Sequence, residues 1–535
     1  VIDLQDRKEL FQEASDLKEQ WKGLLGDAYQ YSFPKRENFF SESTEIEGEE
    51  KVEQIFDATA VDALVNMAAR TMAILMPPFQ NWFTFIPGWE IPEELQEDAQ
   101  AQNQQNTEIF FRYFNISNFY FNFFSSLKEA GISVGVLRIR EGDDNKPFSF
   151  LAIPFSNVFI QEGPTGDIEN VWYRYKTSVR NIKRTWPNAN LPGRFHNVQN
   201  SNEKITIFEG CIFDPSEPEG SQWLYYITTE DHSEVIFEEF RDWSCFLPFR
   251  FDVDPGEVMG RGPILTALPF IRDANKIAEF ELISAKFRAF PMYTVPNSGI
   301  INPFTVILEP GSVIPVEPGQ GPGLTPIPNS GDPQFVQLIL GEIQQNIQSI
   351  MNINQLGSIT GPTKSATEIN LRQQDSQQVS LSLDARLINE LAFKLISTVT
   401  KILIKRGFIQ KFKIDHKLVG IKYNTPILNT QDTQDVQNTL TYINQLQSFQ
   451  GETGISFNID MVNIGGWLAE KQNIDSEVLS NSGDKAQKAQ AFLQSFTQQA
   501  APQQQQQIPS PGGAQQPPPQ AGDTSTIPTS LIQGQ

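Results

Sequence analysis

The chain has 535 residues, a formal net charge of −23, 39% hydrophobic residues and 20% charged ones. That length suits two to four globular domains or subdomains, and the acidity argues against a broad nucleic-acid-gripping surface, which is normally basic. No run of apolar residues reaches the ~18 needed to cross a bilayer, so no membrane span or direct membrane contact is expected.

The N-terminus, VIDLQDRKELFQEA, is charged and helix-like and lacks the apolar region of a secretory signal, so a soluble protein made inside the cell is expected. Cys211 and Cys245 are the only cysteines, which points to a reducing compartment without a disulfide framework. His196, His232 and His416 are scattered without ligand spacing, so no zinc site and no other metal or cofactor is expected. Phenylalanine is used 40 times, enough to supply apolar interfaces as well as cores.

In chain order, the first segment to about Tyr29 has helical spacing through Leu4, Leu10, Phe11, Ala14, Leu17 and Trp21. An acidic run from Glu42 to Glu50 reads as a solvated loop. Asp57 or Thr59 is placed to cap a helix carrying Val61, Leu64, Val65, Ala68, Met72 and Leu75, which Pro77-Pro78 ends before a strand from Trp82 to Phe85. Residues 92–130 read as one long helical region. Its aromatics between Phe110 and Phe124 have few basic neighbours, which favours a buried layer or subunit contact over a base-stacking platform. From ISVGVLRIRE to about Phe251 the chain is strand-rich, a mixed or antiparallel sheet. Asp252, Asp254 and Glu257 in FDVDPGE read as a turn before GRGP and not as metal ligands.

The helical period then returns. A helix is expected from Pro269 to Phe290, and a second opens at Asp332-Pro333 with Val336, Ile339, Leu340, Ile343, Ile347 and Ile350 on one face. Between them residues 291–331 are rich in proline and glycine, a length above ordinary loops and so a functional module. After residue 365 a helix of about sixty ångströms is expected to reach Arg406, polar in its first half and amphipathic through Leu387, Leu391, Leu395, Val399 and Ile402 in its second. A short strand region and two helical patches come next, and from about Ala500 a Gln/Pro-rich tail lacks the composition to fold.

Between those last two long helices lies GSITGPTKS, residues 357–365, which resembles a phosphate-binding loop at first sight. Thr363 stands where a P-loop needs glycine, Pro362 removes an N–H donor, and a helix precedes it instead of a buried strand. Ser365 and Glu368 fit the S-x-x-E capping box, so the stretch reads as a glycine-hinged loop entering a helix. No acid–base or nucleophile constellation accompanies it, and no enzyme activity is expected.

Three segments, in order, carry a resemblance. FDATAVDALVNMAARTMAILMPPFQNWFTF is similar to the N-terminal helix and Trp-Phe strand of podovirus-type bacteriophage portal proteins, the head-to-tail connectors. GRGPILTALPFIRDANKIAEFELISAKFRAFPMYTVPNSG resembles their segment entering the clip, and TKSATEINLRQQD their T-A-T-E-I-x-x-R motif. The resemblance covers about residues 5–480 and implies an α+β, mainly α chain of the portal fold, assembled as a ring, usually a dodecamer, at one capsid vertex. It implies an N-terminal wing (1–260), stem helices (261–290 and 332–356), a clip (291–331), a tunnel loop (357–364), a further wing helix with strands (365–429), a crown (430–499) and a disordered tail (500–535).

It also implies a conduit for double-stranded DNA in packaging and ejection, with ATP hydrolysis in a separate terminase. Implied partners are the terminase large subunit, a tail adaptor, and the major capsid and scaffolding or internal core proteins. The protein would sit in the virion after assembly in the host cytoplasm. Gly357, Ser358, Thr360, Gly361, Pro362, Thr363 and Lys364 would form the DNA-channel loop, capped by Ser365 and Glu368. Tyr293, Phe304, Glu309 and Glu317 in the clip would meet partners. Twelve copies at −23 carry about −276 charges, so DNA would meet net repulsion, as a conduit needs. The competing readings are a nucleic-acid-processing NTPase and another ring-forming head or tail protein.

Overall fold

A computed structural model of the protein describes residues 2–33, 55–88, 93–191, 193, 203–218, 222–289, 293–294, 325–326, 333–351, 385–409 and 419–423, with short helical pieces between 435 and 468. The chain divides into two compact units, Val1–Asp435 and Val436–Gln535. The described residues of the second are helical pieces only; both larger sheets and the main helices belong to the first.

Helix α1 (Leu4–Ser32) begins with a capping box in which Asp3 and Asp6 satisfy each other's backbone ends. It lies on a five-stranded antiparallel sheet of β4 (Val158–Glu162), β5 (Ile168–Ser178), β6 (Lys204–Phe213), β7 (Trp223–Thr229) and β8 (Val235–Arg241). Phe11 meets Phe159 and Phe208 edge-on at 4.9 and 4.8 Å, and Ala14 is buried beside Trp172 and Tyr226. The Lys18 ammonium is drawn into this contact and donates to the carbonyls of Phe155, Ser156 and Val158 at 3.1, 2.5 and 2.7 Å. Burial, and then the Arg174 charge, push its pKa well below that of an ordinary lysine. His232 is packed between Phe11 and Phe208, a core histidine that burial holds neutral with a pKa of about 4.

A second antiparallel sheet has the order β3-β2-β9, with β2 (Val134–Asp143), β3 (Lys146–Ile153) and β9 (Phe246–Arg250). Of the two readings the sequence left open, mixed or antiparallel, the second holds throughout both sheets. Arg138 on β2 reaches Glu209 on β6 at 2.5 Å, both buried, and ties the sheets together. Burial alone would lower the Arg138 pKa, but the Glu209 carboxylate overrides it and holds the guanidinium charged. Cys211 and Cys245 are buried free thiols.

The helical layer contains α2 (Thr59–Leu75), α3 (Glu93–Ile116) and α4 (Phe119–Ala130), with β1 (Phe83–Pro87) paired to β12 (Val419–Tyr423). The aromatics of α3 and α4 form the expected buried layer: Phe110, Phe111, Phe114, Phe119 and Phe123 pack on Trp82, Phe83 and Phe150. Two expectations for this layer are corrected. Residues 92–130 are two helices: Asn118 leaves the helical path to accept from the Phe150 N–H and donate to the Phe150 carbonyl, both at 2.8 Å. Helix α2 has Ala58 at its N-cap with no side-chain bond, because Asp57 is engaged by the Thr59 hydroxyl and by Gln344.

A third correction concerns the helix after β9, α6 (Pro263–Ala289), α5 (Val179–Thr185) having come after β5. It starts six residues before the expected Pro269, which lies inside it. Pro263 takes the first-turn role, because Gly262 and Ile264 donate to the carbonyls of Ile132 and Gly131 at 3.0 and 3.1 Å and fix the helix start against the end of α4. A Cβ on Gly262 would lie 2.1 Å from the Gly131 oxygen, so only glycine allows this crossing.

Helix α7 (Pro333–Ile350) begins as expected, and its predicted inner face is buried or half-buried. The long helix expected to reach Arg406 is described only from residue 385. There it contains a π turn, Ile388–Ala392, before α8 (Phe393–Lys405), whose Leu395, Val399 and Ile402 are buried as predicted. The π turn directs Glu390 inward. Its carboxylate accepts from the Arg250 backbone N–H at 2.9 Å and from the guanidinium Nη2 at 2.8 Å. That guanidinium is fully buried and also donates to the Val258 and Gly166 carbonyls.

Replacing Gly262 by alanine is expected to lower stability by about 1–3 kcal/mol or more, since backbone must move; thermal unfolding of Gly262→Ala beside Gly341→Ala, where a Cβ meets nothing within 4 Å, measures it. Glu390→Ala should cost about 3–5 kcal/mol by leaving the buried Arg250 with only the longer contact to Glu162, at 3.7 Å. The double variant Arg250→Met/Glu390→Leu should be less destabilised than Glu390→Ala in the same unfolding assay.

Candidate functional site

Helices α6 and α7 pack as an antiparallel pair, since Gln337 near the start of α7 donates to Glu281 late in α6 at 3.0 Å. Two short strands, β10 (Tyr293–Thr294) and β11 (Thr325–Pro326), continue that pairing beyond the helix ends, with Tyr293 opposite Pro326. The module between the helices therefore leaves and returns at one place.

The base of this hairpin is held by polar contacts. Arg261 pairs with Asp254 at 2.9 Å and Glu257 at 2.6 Å while its guanidinium lies 4.9 Å over the Trp21 ring. Its hydrogen bond pulls the Glu257 carboxyl below its usual pKa, and Glu257 in turn raises Arg261. Arg272 pairs with Asp27 of α1. The Asn275 side-chain oxygen accepts from the backbone N–H groups of Phe56 and Asp57 at 2.7 and 3.2 Å, and Gln344 reaches Asp57 from α7 at 2.9 Å. Asp252, Asp254 and Glu257 are thus a turn with its own arginine, and among the described residues no group of His, Cys, Asp or Glu is arranged to hold a metal ion. They line a cleft of about 900 Å³ with Glu162, Asp167 and Arg386.

Beyond Ala278 the character of the hairpin changes. On α6 the near half is core, with Ile264, Leu268, Ile271, Ala274 and Ala278 buried, while the far half is exposed. Beside Lys286 and Arg288, the exposed side chains there include large apolar ones. Phe280 is 63% exposed, and Ile283 and Phe287 recur at the spacing of one helical face. On α7 Phe335 and Leu338 are 62% and 67% exposed, three residues apart. Large apolar side chains lined up on solvent mark a surface that another molecule covers. Sequence periodicity assigned one apolar face to α7 and none to α6, and it missed these exposed stripes. The available signal was that α6 is apolar on more than one side, which a helix facing only water would not be.

Gly357, Ser358, Thr360, Gly361, Pro362, Thr363 and Lys364, with the cap residues Ser365 and Glu368, lie outside the described residues, as do Phe304, Glu309 and Glu317. Tyr293 is described only as backbone, in β10. None of the described helices is long and apolar enough to cross a membrane.

Comparison with known proteins gives one decisive match. No curated protein matches the chain. Among solved structures, a chain of the "Virion of native gene transfer agent (GTA) particle" is 11% identical with a TM-score of 0.35, covering 72% of this chain and 86% of that one. The family model of "Bacteriophage head to tail connecting protein" matches residues 4–479, from the first turn of α1 through the whole of the first unit and beyond. The chain belongs to the bacteriophage head-to-tail connecting protein family.

Proposed function

We propose that this protein is the portal subunit of a short-tailed bacteriophage, a ring-forming conduit at one capsid vertex through which double-stranded DNA is packaged and ejected. The observation that carries the reading is the α6–α7 hairpin of a head-to-tail connector chain with apolar stripes on its outer side. In a ring each hairpin has a neighbour on both sides, so Phe280, Ile283, Phe287, Phe335 and Leu338 are covered by adjacent copies. A heterologous contact repeated by rotation closes into a ring without leaving a stripe uncovered.

On this reading α6 and α7 are the stem, within residues 261–290 and 332–356, and residues 291–331 are the clip that meets the terminase and then the tail adaptor. Residues 1–260 and 365–429 make the wing, residues 430–499 the crown, and 357–364 the loop facing DNA. A dodecamer is the expected ring. The protein itself does no chemistry, because the departures from a P-loop at Pro362 and Thr363 leave no nucleotide cradle in GSITGPTKS. Energy comes from the separate terminase motor. Lys364, one copy per subunit, offers a thin band of positive charge in an otherwise repulsive channel.

Negative-stain electron microscopy of the purified protein should show rings with a central channel about as wide as a DNA duplex, and steady-state assays should find no ATP hydrolysis with or without DNA. Monomers, or DNA-stimulated hydrolysis, would overturn the reading. Phe280→Ser/Phe287→Ser should weaken each subunit contact by roughly 2 kcal/mol or more and shift the mass measured by light scattering from ring to monomer. Lys364→Glu should leave rings intact while lowering the yield of DNA-filled heads in an assembly reaction; normal filled heads would remove Lys364 from the mechanism.

A further inference from the structure

The acidity of the chain is not spread evenly. From Arg174 to Lys204 there are seven lysines and arginines and one carboxylate, Glu203, in a protein whose net charge is −23. The fold gathers Arg180, Lys183, Arg184 and Lys204 at one end of the five-stranded sheet. Strand β5 runs into α5, whose N-terminus is capped by Ser178 Oγ accepting from the Asn181 N–H at 3.3 Å. Val179, Ile182 and Trp186 are buried and fix the helix on the sheet, with the Trp186 ring 6.5 Å from that of Phe237 on β8. The Asn190 N–H donates to the Ile236 carbonyl at 2.7 Å and pins the exit.

With those three side chains turned inward, Arg180, Lys183 and Arg184 occupy the other face of α5, and Arg180 and Arg184 are exposed. The start of β6 brings Lys204 to the same corner: it is the register partner of Ser178, and the Val179 N–H donates to the Glu203 carbonyl at 3.2 Å. At the other end of the helix the Arg140 guanidinium lies 5.0 Å over the Trp186 ring.

Several other arginines of this chain have carboxylate partners: Arg138 has Glu209, Arg250 has Glu390, Arg261 has Glu257 and Arg272 has Asp27. Among the described residues no carboxylate pairs with Arg180, Lys183, Arg184 or Lys204. In an acidic protein, a rigid cluster of cations left without partners is suited to an external polyanion.

We propose that this corner, with Arg180, Lys183, Arg184 and Lys204 at its centre, binds the phosphate backbone of double-stranded DNA outside the α6–α7 hairpin. The assignment of DNA rests on the portal reading above, which puts the protein beside packaged duplex. The chemistry of the corner favours a phosphate backbone over an acidic protein surface. Among the described residues of the corner, Val179, Ile182, Trp186 and Leu191 are buried, and none is an exposed aromatic or aliphatic anchor of the kind that dominates protein interfaces. What it presents is charge and guanidinium forks, which hold phosphates without reading sequence. Per subunit the grip is weak. Repeated on every copy of a ring it adds up through multivalency, while the rest of the acidic surface still repels.

The test uses the purified full-length protein and a fluorescein-labelled duplex of about 30 base pairs and arbitrary sequence, titrated by anisotropy between about 50 and 200 mM NaCl. Three neutralised phosphates give a slope of about −2.7 in log affinity against log salt, or roughly a fortyfold loss over that range. Arg180→Gln/Lys183→Gln/Arg184→Gln alters only the outward face of α5; it should reduce affinity at low salt at least tenfold and flatten the slope by about 2–3. Rings in electron micrographs of the variant confirm that it folds. No measurable binding by the wild type, or an unchanged slope in the variant, would overturn the proposal. So would tighter capture of a polyglutamate peptide than of the duplex. Failure of the wild type to form rings counts against the portal reading alone, since the salt slope is read whether or not the ring forms.

Discussion

The buried guanidinium of Arg250 determines how the parts of the first unit are joined. It has no exposure to water and stands at the end of β9, so every N–H it carries must find an acceptor within the protein. It finds Gly166 in the turn between β4 and β5, Val258 just before the hairpin, and Glu390 in the helix that comes after it in sequence. These acceptors are 84, 8 and 140 residues away, so one side chain ties together both sheets, the root of α6 and the helix after α7. Any movement of the hairpin base that separated them would strand a charge in the interior. The π turn at Ile388–Ala392 fits the same constraint, since its extra residue aims Glu390 at Arg250 while Leu391 and Leu395 stay in the core.

With its base fixed in this way, the hairpin can extend beyond the core and still be rigid. Near the body it is held by the glycine crossing at Gly131 and Gly262 and by Arg272, Asn275 and Gln344, each bonded to residues before α2 or within α1. Farther out it has lost the core and carries Phe280, Ile283 and Phe287 on solvent, where isolated copies would lose free energy by leaving them wet. The same chain thus uses its buried ion pairs to position an element whose outer surface keeps large apolar side chains exposed. That division of labour matches a family defined by assembly between head and tail rather than by chemistry at a pocket.

Charge obeys a parallel logic. A net charge of −23 keeps most of the surface repulsive to nucleic acid, and arginines such as Arg138, Arg261 and Arg272 are matched to carboxylates of the chain itself. The corner at α5 departs from this because Val179, Ile182 and Trp186 take the inward positions of a short helix and leave cations and neutral polar residues, but no carboxylate of that helix, to face outward. Its chemistry is therefore set by three buried apolar side chains as much as by the arginines and lysines.

The amino-acid sequence by itself determined the elements with strong periodicity and the family. The helical spacing from Leu4 onward, the strand-rich composition from β2 to β8, the inner face of α7 and the buried half of the helix at Leu395, Val399 and Ile402 all arise from local composition and spacing. So does the departure of GSITGPTKS from the P-loop pattern, because Pro362 lacks an N–H and Thr363 stands where glycine is needed. Tertiary structure alone decided where elements break and what they bind. Asn118 interrupts the aromatic helix because Phe150 on another strand offers it a better pair of bonds, and Asp57 is diverted from capping by Gln344 far along the chain. The start of α6 depends on a carbonyl of Gly131, and the charge of Arg250 on Glu390. Each of these is a contact between residues remote in sequence, whose energy exists only once the chain has folded and which no local pattern records.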